Sequence, residues 1–543
     1  MKKEVTRTRT CGHWAYTLGE VPVPKGMIIE KDIPIKMRDG INLYANVFRP
    51  DKPGKFPIIM STTPYSKDRC TKEWGKGCID WLFDQGICMG FLKVSELPTF
   101  EAPDPAYWVP NGYIVIYVDV RGMFKSEGKP HRDFSGRSGD DYYDAIEWAG
   151  VQSWSNGNVG MSGVSALCMS QYLAAITHPP HLKAIIPWEG ITDRYRDTRF
   201  PGGVPESVFR LETHGVIKTM SESDIAAYLD PVANQNILVG LAPNLEEITT
   251  PALICATWSD QGLHTRGSFQ AFRRFSSKDK WLYTHGGPKW HEYYFEQGLE
   301  YQKKFFDYYL KGENNGWMET PRVRMEVRDT LLTYTVRNEN EWPLARTEYQ
   351  KLYLNPEGKL VSTKISKEGK VSYNSLDGKA VFDITFDKDT ELSGYMKLQM
   401  TVSGESDDMD LIIGVHKLDF DGNEVHFFGM DGFIRGIVSR GWLRVSQREL
   451  DKEKSTPWQP YYKHEGEQKI KPGKMVPVEI AILPSSTLFH KGETLRLTIQ
   501  GKDTMAYGRV GYPRLINKGI HTVYTGGKYD SYLLIPYVPA NTE

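Results

Sequence analysis

Polar and apolar residues alternate along residues 34–60, around the turns Asp39-Gly40 and Pro53-Gly54, and a period of two broken by such turns predicts strands joined by hairpins. Further on the pattern changes. Gly112-Tyr-Ile-Val-Ile-Tyr-Val-Asp119 is a continuous apolar run of the kind buried on both faces of a sheet, and 140–151 follows with Tyr143, Ile146 and Trp148 at helical spacing. Strands are then expected at 158–163, 182–188, 252–257 and 280–284, and helices at 166–177, 265–275 and 296–310. Such alternation predicts an α/β unit with a mostly parallel sheet and helices on both faces. Two stretches interrupt it. Residues 70–108 form an insertion rich in Trp, Phe and Pro, and 190–248, with helical fragments at 205–216 and 222–229, are placed to form a helical cap over the C-terminal edge of the sheet. After residue 316 the grammar becomes that of strands separated by Gly, Asn and Asp turns, at 350–354, 394–403, 411–417, 475–483 and 494–501. An all-β, jelly-roll-like domain is expected there. The division is thus 1–189 and 249–315 for the α/β unit, 190–248 for the cap and 316–543 for the β domain.

The 543 residues are too many for one hydrophobic core, which fits this division. Lys and Arg number 67 against 68 Asp and Glu, a net charge of −1, so no global field draws nucleic acid or an anionic membrane. A small molecule chosen by a pocket is the expected partner, with self-association left open. The six cysteines include no Cys-x-x-Cys pair, and the N-terminus is charged without an apolar stretch behind it. Both features read as a cytoplasmic protein without disulfides or structural zinc.

The chemistry concentrates in Asn156-Gly-Asn-Val-Gly-Met-Ser-Gly-Val-Ser165, a short strand running into the Ala/Leu helix that begins at Ala166. A Ser on a tight strand-to-helix turn exposes its Oγ and aims the next backbone N–H at a developing oxyanion. Small neighbours are needed at such a turn, and Gly163 and Ala166 supply them. A nucleophile of this kind needs a base and a carboxylate to orient the base. The strand at 252–257 leads into Asp260, and the next one leads through Gly287-Pro288 to His291. All three elements converge where parallel strands end. His291 is preferred over His285, which sits almost in the strand, and His264 is read as surface or pocket lining. Trp188, Trp258 and Trp290 stand at strand ends, where they either wall a substrate pocket or pack the cap on the sheet. Asp419-Phe-Asp-Gly-Asn-Glu424 imitates the start of a calcium loop but lacks its length and closing Glu, so a β-turn is expected. Asp119-Val-Arg-Gly122 is read as structural turn chemistry.

Several separate motifs, in order, resemble the α/β-hydrolase family of X-Pro dipeptidyl-peptidases, cocaine esterase and α-amino-acid ester hydrolases. They are Met37-Arg-Asp-Gly-Ile-Asn-Leu, Thr63-Pro-Tyr-Ser-Lys67, Asp119-Val-Arg-Gly122, residues 154–165, Trp258-Ser-Asp260, Gly287-Pro-Lys-Trp-His291, Gly441-Trp-Leu-Arg444 and Tyr529-Asp-Ser-Tyr-Leu-Leu-Ile-Pro536. The resemblance implies Ser165 as nucleophile, His291 as base, Asp260 as orienter, and Tyr65 beside the Ala166 N–H in the oxyanion hole. It implies no cofactor and no metal. Two departures stand out. Ala166 and Cys168 replace the family's Tyr and Gly, which keeps the elbow but changes the pocket wall. Gln261 follows Asp260 where the amino-ester hydrolases carry an acidic residue for a substrate ammonium. The expectation is therefore a serine esterase working through an acyl-enzyme. The alternatives are an Xaa-Pro peptidase or other amide-cleaving acylase and, more distantly, a binding protein on a hydrolase scaffold. Glu189, Asp193, Asp197 and Glu206 at the cap's start are the residues that could return an ammonium site.

Overall fold

The computed structural model describes residues 5–9, 21–69, 94–130, 136–206, 242–430, 434–504 and 516–539. The expected cap helices and much of the 70–108 insertion fall on 207–241 and 70–93, outside the described residues. Eleven strands form one twisted layer. They are β1 (Val5–Thr8), β2 (Met27–Lys36), β3 (Asn42–Pro50), β4 (Phe56–Thr63), β5 (Ile114–Asp119), β6 (Ser155–Val164), β7 (Leu182–Trp188), β8 (Ala252–Thr257), β9 (Lys280–His285), β10 (Val323–Arg328) and β11 (Thr333–Glu339). Their order is β2-β3-β5-β4-β6-β7-β8-β9-β10-β11-β1, parallel from β5 to β10 and antiparallel at both ends.

Why the central strands read as unbroken apolar runs is plain from the packing, since successive side chains enter opposite cores. Ile114, Ile116 and Val118 join Ala252, Ile254 and Ala256 in one core. Val115, Tyr117, Leu253 and Cys255 face the other. The first core is covered by α2 (Gly136–Gly150), α3 (Ala166–Ala175) and α4 (Thr265–Arg274), named after the short α1 (Pro105–Trp108). The second is covered by α5 (Lys289–Tyr294) and α6 (Glu296–Phe306). The helix expected to reach residue 310 leaves regular α-geometry at Phe306 and continues as a wider turn over Asp307–Lys311.

The chain beyond residue 316 first completes the α/β sheet and only then builds its own domain. β10 pairs in parallel with β9, Val323 opposite Leu282, and β11 and β1 follow it at the edge. The remaining strands form an antiparallel sandwich around the long pair Thr390–Gly404 and Val476–Phe489. Its core shows the expected period of two: Met396, Leu398, Met400 and Val402 face inward with Val476, Val478, Ile480 and Ile482. The calcium-like segment is a hairpin turn, Asp419 Oδ1 accepting the N–H groups of Asp421 and Asn423.

The sandwich grips the α/β unit through close side-chain and backbone contacts. Trp342 packs its ring 5.5 Å from Trp258 and 5.2 Å from Phe269, centroid to centroid. Gly202 (φ +59°) approaches the strand Ser439–Arg444 so closely that a Cβ would lie 1.9 Å from the Trp442 carbonyl oxygen. Only glycine fits there.

Candidate active site

Ser165 sits between β6 and α3 with φ +57° and ψ −112°, a strained conformation for a side chain with a Cβ. The strain is held from both sides. The Ser165 N–H donates to the carbonyls of Trp188 (3.1 Å) and Glu189 (3.2 Å), and Val164 N–H to that of Glu101 (3.0 Å). Gly163 (φ +150°) permits the approach of α3, because a Cβ there would stand 2.5 Å from Leu167 Cβ. This is the nucleophile elbow that the Gly-rich stretch predicts.

From Ser165 the hydrogen bonds lead to His264. Its Nε2 lies 3.1 Å from Ser165 Oγ, and its Nδ1 is bonded to Asp260 Oδ2. His264 is fully buried and Asp260 nearly so. The Asp260 carbonyl accepts N–H groups of Leu263, His264 and Thr265, winding a helical turn into α4 that sets residues 260 and 264 on one face. This corrects two expectations. His264 is neither surface nor pocket lining, and it takes the position between serine and carboxylate expected of His291. His291 lies on α5 with its ring stacked on Phe295 at 4.7 Å. The four-residue spacing Asp260-x-x-x-His264 is the signal from which this pairing was readable. Burial pushes the Asp260 carboxyl up, but Lys289, whose Nζ stands 3.5 Å from Oδ2, and His264 outweigh it and hold Asp260 below the usual carboxylate range.

Tyr65 reaches the same serine. Its hydroxyl is hydrogen-bonded to the side chains of Glu101 and Ser165, and burial together with the Glu101 charge pushes its pKa well above the ordinary tyrosine value. It therefore stays a donor. Its segment is pinned where β4 ends: Tyr65 N–H donates to Thr63 Oγ1 (3.0 Å) and Lys67 N–H to Asp119 Oδ1 (2.7 Å). Asp119 thus serves as an anchor for the tyrosine's loop, as turn chemistry would have it. Ala166, first residue of α3, has an N–H without an intrahelical acceptor.

The tryptophans divide. Trp188 and Trp258 do not wall the site. Trp188 is buried against Tyr283, His285 and Tyr293, and Trp258 is stacked on Phe269 with its Nε1 donating to the Glu326 carbonyl. Trp290 donates to Glu101 Oε1 (3.1 Å) and lies 5.6 Å from Phe100, which in turn meets the ring of Tyr65. Cys168 is buried with Sγ 3.2 Å from Tyr172 Oη, so the departure at this position is absorbed inside the protein rather than at a pocket wall. Gln261 turns away from the triad. Its Nε2 donates to Trp258, Ile437 and Val438 carbonyls at 3.1–3.2 Å.

The carboxylates after β7 have cationic partners: Glu189 His285, Asp193 Arg196 and Asp197 Arg266, while Glu206 is buried. Oxygens of Glu189 and Asp260 and a ring nitrogen of His264 lie within 4.8 Å of one another. As metal donors they are poorly suited, because both nitrogens of His264 are taken by Ser165 and Asp260, and Glu189 faces His285. The arrangement suits proton transfer.

An eleven-stranded α/β sheet with a serine at the elbow after β6, hydrogen-bonded through a histidine to a carboxylate, defines a serine hydrolase of the α/β-hydrolase fold. The model of the X-Pro dipeptidyl-peptidase (S15 family) matches residues 39–236, and that of the X-Pro dipeptidyl-peptidase C-terminal non-catalytic domain matches 315–534. A solved CocE/NonD family hydrolase from Staphylococcus aureus is 45% identical over 94% of each chain, with a TM-score of 0.89. The chain belongs to this CocE/NonD hydrolase family. Cocaine esterase from Rhodococcus sp. is 28% identical over 61% of this chain and 63% of its own length, so the chain spans somewhat less than two thirds of that relative. An α-amino acid ester hydrolase, 16% identical with a TM-score of 0.68, shares the fold.

Proposed function

We propose that the protein hydrolyses carboxylic esters of small molecules, with Ser165 as nucleophile, His264 as base, Asp260 as its orienter, and the Tyr65 hydroxyl and Ala166 N–H as oxyanion donors. The observation that carries this reading is the hydrogen-bonded path from Ser165 through His264 to Asp260 at the elbow. His264 Nε2 takes the Ser165 proton as Oγ attacks the carbonyl carbon, and the imidazolium then protonates the departing alcohol. Water attacks the acyl-enzyme with His264 again as base. Free thiols at Cys168 and Cys255 fit a cytoplasmic location.

Preference for esters is supported by the carboxylates. Anchoring a substrate ammonium takes an acidic group turned to the pocket, and Glu189, Asp193 and Asp197 are ion-paired instead, with Gln261 occupied by the β domain. The second reading, an Xaa-Pro peptidase, has the S15 family match in its favour. Aryl esters of short or aromatic acids should be turned over with higher kcat/KM than matched amides or Xaa-Pro-nitroanilides. If the nitroanilides are faster, and N-acetylation abolishes their cleavage, the peptidase reading replaces this one. The site is tested separately. Ser165→Ala should lose both turnover and fluorophosphonate labelling, with about 10⁶ lost in kcat. His264→Ala should be comparably severe and His291→Ala much milder; the reverse ranking would return the base to His291.

A further inference from the structure

Two buried histidine–carboxylate pairs stand side by side at the ends of β7, β8 and β9. Asp260 and His264 carry the reaction just described. Glu189, the residue after β7, and His285, the last of β9, are fully buried with Glu189 Oε1 2.9 Å from His285 Nε2, and that reaction leaves them without a task. Yet Glu189 is close to the triad, one of its oxygens lying within 4.8 Å of both an Asp260 oxygen and a His264 nitrogen.

Holding two carboxylates this near each other away from water is costly unless cations stand among them. His285 faces Glu189, and Lys289 faces Asp260 from α5. Burial pulls the His285 pKa down, but Glu189, with Glu292 and Glu326, raises it by more; burial and the Asp260 charge raise the Glu189 pKa in turn, against the pull of His285 and Lys289. The backbone of Glu189 is also held in an unusual state. Its φ is +52°, its N–H donates to the Cys255 carbonyl (3.1 Å) and its own carbonyl accepts from Ser165 N–H (3.2 Å). These two backbone hydrogen bonds fix Glu189 against the nucleophile's turn.

We propose that Glu189, held by His285, is a positioning residue that serves His264 as a second carboxylate. The proposal rests on His264 being the base. When His264 takes the Ser165 proton it becomes a cation, and that cation is stabilised by Asp260 through a hydrogen bond and by Glu189 through space. Glu189 itself neither gains nor loses a proton in the step. Because the cation exists only on the way through the transition state, the contribution falls on kcat and leaves KM unchanged.

Glu189→Gln keeps the size of the side chain and removes its charge. On an aryl ester its kcat should fall by about tenfold to a hundredfold with KM within about twofold. His285→Gln should lower kcat as well, and the double variant should be no slower than Glu189→Gln alone, since the pair acts as a unit. Placed in the His264→Ala background, Glu189→Gln should have no further effect on residual turnover. A wild-type kcat in Glu189→Gln, or a loss of the same factor with His264 absent, overturns the proposal. Should Glu189→Gln fail to fold, Glu189→Asp, which keeps the charge, is to be compared with Glu189→Ser; equal activity in these two also overturns it. Full activity in His264→Ala would be a different failure, removing the base assignment and this proposal with it.

Discussion

Tyr65 brings its hydroxyl to Ser165 from the loop that follows β4. Its aromatic neighbours Phe100 and Trp290 fix the ring, while Glu101 and Ser165 fix the hydroxyl. Tyr65→Phe keeps the ring packing and removes one oxyanion donor, and such a loss costs about 10²–10³ in kcat. KM should move little. Steady-state kinetics on an aryl ester checks both, and an unchanged kcat would reduce Tyr65 to a packing residue. The choice of histidine also belongs to this scale. His285, His264 and His291 all fall near the ends of late strands in the sequence, and a loop beyond a Gly-Pro turn favours His291 while the four-residue spacing from Asp260 favours His264. What decides among them is a single helical turn after Asp260, formed when that residue's own carbonyl collects three N–H groups.

The segment 460–464 packs against the turn Tyr195–Arg199, and its electrostatics give the fold a pH dependence. The His464 ring lies 4.8 Å from Tyr195 and bonds Gln447 Oε1 through Nδ1 (3.1 Å). Burial, and after it the Arg196 charge, push the His464 pKa down to about 3. The unfolded chain binds a proton there near pH 6.5, and the folded chain does not until far lower pH. His464 therefore contributes its full stability above about pH 6.5, and that contribution drains away as the pH falls toward 3. At pH 5 the loss from this residue is about 2 kcal/mol. Thermal melts at pH 7.5 and 5 should show a drop that His464→Gln makes smaller. An equal drop in the variant would place the acid sensitivity elsewhere.

Across the whole molecule, the β domain is built into the hydrolase. β10 covers the edge of β9, Trp342 covers Trp258 and Phe269, and Ile437 and Val438 accept from Gln261, next to the triad's carboxylate. A chain ending at Gly316 would leave the β9 edge unpaired and an apolar face open to water. Size-exclusion chromatography of the 1–316 fragment should show aggregation, and fluorophosphonate labelling should fail. A soluble, active fragment would make the β domain an independent module.

By itself the sequence determined what depends on neighbours along the chain. Apolar runs placed the strands at 182–188 and 252–257 to the residue, and the Gly-rich run into an Ala/Leu helix marked Ser165, because those signals are written within a few residues. Only the tertiary structure decided matters set between distant segments. Which histidine meets Ser165, that Trp188 and Trp258 pack inward while Trp290 backs Tyr65, and that Gln261 braces against Val438 all depend on how separate strands are stacked and on which buried polar atoms must find partners there. Contact between segments far apart in the chain leaves no local pattern, so its outcome becomes visible only once the sheet is assembled.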